Sequence, residues 1–347
     1  MAYTTINKPT DYFNTVLYAG DNATSNAITG VGFKPDWLWI RNRTATADFQ
    51  LSDIVRGKSG SLYYQIRTNA DGEQVVQPDN DGVSSLDSDG FTVGYTNSAA
   101  WNNSGNNYVS FSWLAGGSTS SNSDGSITST VSVNTTAGFS IVKWTGDGNT
   151  TTVGHGLGVT PKLYMTKDIT NGSTNFHYHT TQIDGGMDYA FLNSTNAFSS
   201  SSLSAPDSTE MTVGGTINTS SADFISYVFA DKQGYSKFGS YKGNGNADGP
   251  FIYTGFKPAW VLQKNAGATQ GWQLQDNKRD GRNGANKLLQ PHTSQAESDV
   301  NRIDILSNGF KVITTDAGQN SSGVSYIYMA FAENPFVSST GVPCNAR

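Results

Sequence analysis

Hydrophobic and polar residues alternate with period two in the segments that carry much of this chain's apolar mass. In Tyr108-Val109-Ser110-Phe111-Ser112-Trp113, Val, Phe and Trp share one face and Tyr, Ser and Ser the other, the pattern of a strand with one side on a core. Trp37-Leu38-Trp39-Ile40 is apolar on both faces, as expected of a central strand covered on both sides. Pro35 lies just before it, where a missing N–H costs no ladder bond. Short strand signals of this kind recur between Gly, Asn, Asp and Ser turns, and their spacing predicts antiparallel sandwiches, not strands alternating with helices.

The pattern repeats three times. Phe13-Asn-Thr-Val-Leu-Tyr-Ala-Gly20 returns as Phe139-Ser-Ile-Val-Lys-Trp-Thr-Gly146 and, two residues shorter, as Phe238-Gly-Ser-Tyr-Lys-Gly243. Gly32-Phe33-Lys34-Pro35-Asp36-Trp37 matches Gly158-Val159-Thr160-Pro161-Lys162-Leu163 and Gly255-Phe256-Lys257-Pro258-Ala259-Trp260, and the step between the two glycines is twelve residues in every copy. Each copy closes on an aromatic strand: Tyr108 to Trp113, Phe224 to Phe229, Tyr326 to Phe331. Self-similarity in one register marks tandem structural units.

The expected architecture is therefore all-β, three tandem antiparallel β-sandwich units of jelly-roll or lectin-like type. The divisions are an N-terminal arm (1–12), unit 1 (13–115), a Ser/Gly-rich linker (116–137), unit 2 (138–231), unit 3 (232–336) and a C-terminal tail (337–347). The run Gly116-Gly-Ser-Thr-Ser-Ser-Asn-Ser-Asp-Gly125 reads as a flexible joint, whereas units 2 and 3 abut. Arm and tail carry few apolar residues and are expected to be ordered only against neighbours, in a homo-oligomer or a larger assembly.

Composition narrows the function. The chain has 347 residues, of which 14% are charged, with a net charge of −6 and 38 glycines. No basic face is available for nucleic acid, and no apolar run is long enough to insert into a membrane. Cys344 is the single cysteine, which favours synthesis in a reducing cytoplasm. The N-terminus lacks the basic start and apolar run of a signal peptide.

Candidate chemistry is sparse. His177 and His179 have a metal-like spacing, yet the repeat places them where Gln50 and Ser52, and Gln273 and Gln275, stand. They are expected on an exposed polar face, with no third ligand, so no metal or other cofactor is expected. Asp79-Asn80-Asp81-Gly82 resembles the opening of a calcium loop but lacks its later ligands. The turns after the first strand (Gly20-Asp21-Asn22, Gly146-Asp147-Gly148-Asn149, Gly243-Asn244-Gly245-Asn246) are explained by residues that tolerate positive φ. Asp53-x-x-Arg56 and Asp276-x-x-Arg279 recur without a second carboxylate at a defined distance and read as structural ion pairs. No catalytic residue is assigned. Trp101, flanked by Asn102, Asn103 and Asn106, is the one aromatic loop with the side chains to stack on and hydrogen-bond a host-surface glycan. The competing reading is that Trp101 caps the sandwich or fills a subunit contact.

Several segments resemble a repeat family of virion proteins from marine tailed phages such as cyanophages. They are Lys8-Pro-Thr-Asp-Tyr-Phe13, Asp124-Gly-Ser-Ile-Thr-Ser-Thr-Val-Ser132 leading to Ala137-Gly-Phe-Ser-Ile-Val142, Val153-Gly-His-Gly-Leu-Gly158, Gly234-Tyr-Ser-Lys-Phe-Gly-Ser-Tyr241 and Tyr328-Met-Ala-Phe-Ala-Glu-Asn-Pro-Phe336. The resemblance implies a non-enzymatic, tail-fibre-like or structural role in a virion made in the bacterial host cytoplasm, on the tail or capsid exterior. Its expected partners are other virion proteins and, where it assists attachment, host glycan. The alternatives are a carbohydrate-binding adhesin module and, further off, a tailspike depolymerase.

Overall fold

Alternation decides which side of each strand faces inward, and the same choice is made three times. The computed structural model describes residues 3–77, 80–280 and 285–344. In unit 1 the main sheet runs, in spatial order, Phe13–Ala19, Asn107–Trp113, Trp37–Asn42, Gln50–Asp53 and Ile66–Arg67. Unit 2 repeats that order as Phe139–Thr145, Asp223–Phe229, Leu163–Asp168 and His177–Thr180, and unit 3 as Ser236–Lys242, Ser325–Pro335, Phe256–Asn265 and Gln273–Asp276. Every pairing in these sheets is antiparallel. A small sheet covers the outer face of each: three strands in units 1 and 3, but only Thr151–Gly154 and Glu210–Val213 in unit 2. Each unit is thus a two-layer antiparallel sandwich, as the alternation predicts.

The units do not stand apart. Even-numbered residues of the closing strand of unit 1, such as Tyr108, face the outer sheet, while Val109, Phe111 and Trp113 face the opposite way. That opposite face meets the matching faces of units 2 and 3 in one continuous core, to which Trp37, Trp39 and Trp113, then Leu163, Tyr227 and Phe229, then Trp260, Met329 and Phe331 all contribute. Ring contacts cross every boundary: Trp37 to Phe139 at 5.5 Å, Trp113 to Phe331 at 5.6 Å, and Phe229 to Phe238 at 5.7 Å between centroids. Three smaller cores lie between each main sheet and its cover.

Backbone hydrogen bonds close the three units into a ring; each junction repeats two of them in register and adds one from a buried cation to a carbonyl across the seam. From unit 1 to unit 2, Asp71 O accepts Thr174 N and the Lys167 ammonium, and Gln74 N donates to Ile169 O. From unit 2 to unit 3, Thr195 O accepts Gln270 N and the Lys264 ammonium, and Phe198 N donates to Ala266 O. From unit 3 back to unit 1, Ser294 O accepts Ala47 N, Glu297 N donates to Arg43 O, and Arg41 donates to Gln295 O. The cations Arg41, Lys167 and Lys264 occupy one register position, two residues past Trp39, Met165 and Leu262 on the core-facing side, and all are fully buried.

Two expectations are corrected by this arrangement. The 116–137 segment is not a free linker: Ser120–Asn122 and Ser129–Asn134 extend the unit 2 sheet beyond Phe139–Thr145. Its Ser/Thr/Val alternation suits a pleated surface, and Val131 is buried. Nor do the ends await a neighbour. Ile6 enters the shared core, Thr4 Oγ1 donates to Gln233 O, and Asn7 and Ser339 exchange two hydrogen bonds that tie arm to tail. Residues 1–2 and 345–347 of those ends lie outside the described residues.

Candidate functional site

The repeated polar residues bear on stability before chemistry. The residue after Trp101, Ile217 and Gln319 is in each case a fully buried Asn that plugs the turn following the first strand. Asn102 Nδ2 donates to Asp21 Oδ1 (2.7 Å) and Ala23 O (3.0 Å). Asn218 makes the same pair of bonds to Asp147 Oδ1 and Asn149 O, and Asn320 to Asn244 Oδ1 and Asn246 O. The repeat glycines Gly20, Gly146 and Gly243 sit against these plugs. A Cβ there would lie 2.1 to 2.3 Å from the carbonyl oxygens of Asn103, Thr219 and Ser321. Close approach, not positive φ, is what these first-turn glycines supply; it is the second repeat glycines, Gly32, Gly158 and Gly255, that hold positive φ.

The proposed glycan loop is corrected by its burial. Trp101 is 1% exposed and packs with Phe91, Val93 and Tyr108 under the outer sheet of unit 1, so its ring cannot stack on a sugar. Asn102 is committed to the turn plug. Asn103 and Asn106 are partly buried; Asn103 Nδ2 donates to the Tyr95 hydroxyl, and Asn106 Nδ2 to Asn103 Oδ1. The capping role is the one the structure supports.

The ion pairs lie at the junctions. Asp53 Oδ2 meets Arg56 Nε at 2.5 Å and accepts the Tyr227 hydroxyl of unit 2 at 2.7 Å. In unit 3, Arg279 pairs with Asp276 and with Glu297, and Glu297 also receives Arg43 of unit 1 at 2.8 Å. Asp81 of the calcium-like loop accepts the backbone N–H groups of Thr96, Asn97 and Ser98; Asp79 lies outside the described residues. Among the described residues no group of three or more His, Cys, Asp or Glu side chains could hold a metal ion.

His177 and His179 are the second correction. The repeat assigns their face rightly, since both point to the outer side of the unit 2 sheet, but that side is covered and they are only 8% and 3% exposed. Burial, with the Lys167 charge, pushes His177 down to about 4, and burial with His177 pushes His179 down to about 3, so both imidazoles are neutral at neutral pH. Their rings lie parallel, 5.6 Å apart, and each Nδ1 is buried without a hydrogen-bond partner among the described residues. They form the floor of a hollow of about 610 Å³, walled by Tyr189, Phe191, Thr216 and Ile217 and by Ser200–Leu203. The sequence signal for it was the shorter closing loop of unit 2, which carries Ile217 where unit 1 has Trp101.

A family described as Domain of unknown function (DUF7483) matches residues 8–335. No curated protein and no solved structure matches the chain.

Proposed function

The chain belongs to that family over a span that takes in all three units, and we propose that it is a non-enzymatic structural component of a tailed-phage virion, on the tail or capsid exterior, where it assists host attachment. The observation that carries this reading is the thrice-repeated junction: the buried cations Arg41, Lys167 and Lys264, and the backbone groups beside them in repeat register, hold the units to one another. Buried carboxylates support it too, since Asp53, Asp276 and Glu297 each accept donors from neighbouring backbone, Arg or Tyr groups. A carboxylate saturated in this way is a fixed brace, whereas glycosidic cleavage needs a pair free to take and give protons across an open cleft. The sequence resemblance supplies the particle. Other virion proteins are its partners on this reading, and a homo-oligomeric state is part of the proposal, no longer motivated by the termini.

The test is direct. Particles purified on a density gradient from an infected marine bacterium should contain the chain by mass spectrometry, and gold-labelled antibody should decorate tail or capsid exterior. Absence from purified particles, with the chain abundant in the lysate, defeats the proposal. A carbohydrate-binding adhesin is the second reading, favoured by the uncharged hollow of unit 2.

A further inference from the structure

We propose that the hollow on the outer face of unit 2, floored by His177 and His179, is a binding site for a neutral sugar ring. It goes beyond a structural role and stands whether or not the chain sits on a particle.

The three units provide an internal comparison at this place. In unit 3 it is filled: Gln319 donates to Gln263 (2.5 Å) and to Gln275 (2.9 Å) across the outer face. In unit 1 the corresponding hollow, bounded by Gln50 and Trp101, is about 340 Å³ and bears the Arg67–Asp48 pair at its rim. Unit 2 has Ile217 in place of Trp101 or Gln319, and two covering strands in place of three. The opening left is about 610 Å³, within the size range of small-molecule pockets.

Its chemistry selects the occupant. Among the described residues no Asp, Glu, Lys or Arg lines it, so none of them would pair with a charged ligand there. The side chains of Tyr189, Phe191 and the two imidazoles give apolar ring surface, the body against which a pyranose face packs. Around them stand donors and acceptors that suit sugar hydroxyls: the Thr216 hydroxyl, 3.3 Å from His177 Nε2, serine hydroxyls, and backbone at Gly214 and Gly215. His177 and His179 are more than nine-tenths buried, each with an Nδ1 that has no partner among the described residues.

The experiment uses the full chain. Saturation-transfer NMR would be run with a panel of neutral methyl pyranosides and disaccharides at millimolar concentration, alongside glucuronate and sialic acid, while the ring signals of His177 and His179 are followed. We expect at least one neutral sugar to bind and shift both ring signals, and the acidic sugars to bind more weakly. Ile217→Trp, which imports the unit 1 residue, should weaken binding by about tenfold or more, equivalent to about 1.4 kcal/mol. If Ile217→Trp fails to fold, Tyr189→Ala removes ring surface at a partly exposed position and should weaken binding likewise. The proposal fails if no neutral sugar shifts the histidine signals, or if both variants bind like the parent. It also fails if only zinc or nickel ions move those signals, which would give the imidazoles to a metal.

Discussion

Trp37 of unit 1 lies nearly parallel to Tyr227 of unit 2, ring centroids 4.2 Å apart and planes 23° apart. The Tyr227 hydroxyl continues past the indole to Asp53 Oδ2, 2.7 Å away on unit 1. One side chain thus joins the shared aromatic core to the Asp53–Arg56 pair, and the contact is apolar along the ring and charge-assisted at its tip.

Tyr227→Phe keeps the stack and removes the tip. Asp53 then loses a neutral donor while retaining Arg56 and the backbone N–H groups of Val55 and Arg56, so we expect a loss of about 1–3 kcal/mol. Trp37→Ala removes the stack itself and should cost about 3–5 kcal/mol. Chemical denaturation of both variants checks the order; a larger loss for Tyr227→Phe than for Trp37→Ala would show that the hydroxyl, not the ring, dominates.

Because the inner faces of the three sheets share one core, the inner face of a single unit has no cover of its own. We expect residues 13–115 expressed alone to be unfolded or aggregated, since Trp37, Trp39 and Trp113 would face water as one apolar patch. The whole chain should melt in a single calorimetric transition. A dispersed NMR spectrum from the isolated unit, or three separate transitions from the whole chain, would contradict a common core.

Stability should depend on pH in two windows. His177, His179 and His292 are pushed down by burial to about 4, 3 and 4. Between those values and the ordinary value near 6.5 the unfolded chain binds more protons than the folded one, so stability falls as pH drops below about 6.5. Burial likewise lowers Lys167 and Lys264 to about 8. By the same sign, stability rises as pH climbs from about 8 toward about 10, until the buried tyrosines, whose values burial raises, begin to reverse it. Urea midpoints across pH 4 to pH 10 check both slopes, and Lys264→Met should flatten the alkaline one.

Trp101→Ala should lower stability by about 3–5 kcal/mol through the cavity it leaves. Trp101→Phe should be milder, because the indole N–H has no hydrogen-bond partner among the described residues. Sugar binding by the unit 2 hollow should be unaffected by Trp101→Phe, which separates the two places. Loss of binding in that variant would return the glycan contact to the unit 1 loop.

Much of the fold was legible in sequence, because period-two alternation and a fixed register report local geometry directly. The apolar run Trp37-Leu38-Trp39-Ile40 even signalled cover on both sides. What alternation does not say is which partner provides the cover, and here one side is the shared core. The buried Arg41, Lys167 and Lys264 stood in register in the sequence, but a lone cation two residues past an apolar pair reads as surface until a neighbouring unit's carbonyl is placed against it. Trp101 misled through its asparagine neighbours, whose polarity serves an inward turn plug instead of solvent. The histidine face was assigned correctly by register. Its burial was not, because polarity in register reads as solvent exposure, whereas the outer layer of each unit covers this face and buries Gln50, Ser52, Gln273 and Gln275 as well.

The ring closure carries a genetic consequence. In a trimer of identical polypeptides every codon change enters three times, so a residue that opens a chamber in one protomer opens it in all. Here the three protomer equivalents are spelled out in a single gene. Selection can therefore keep Trp101 and Gln319 as plugs while letting Ile217 recede, and the scaffold retains two intact thirds to carry the one that has been hollowed.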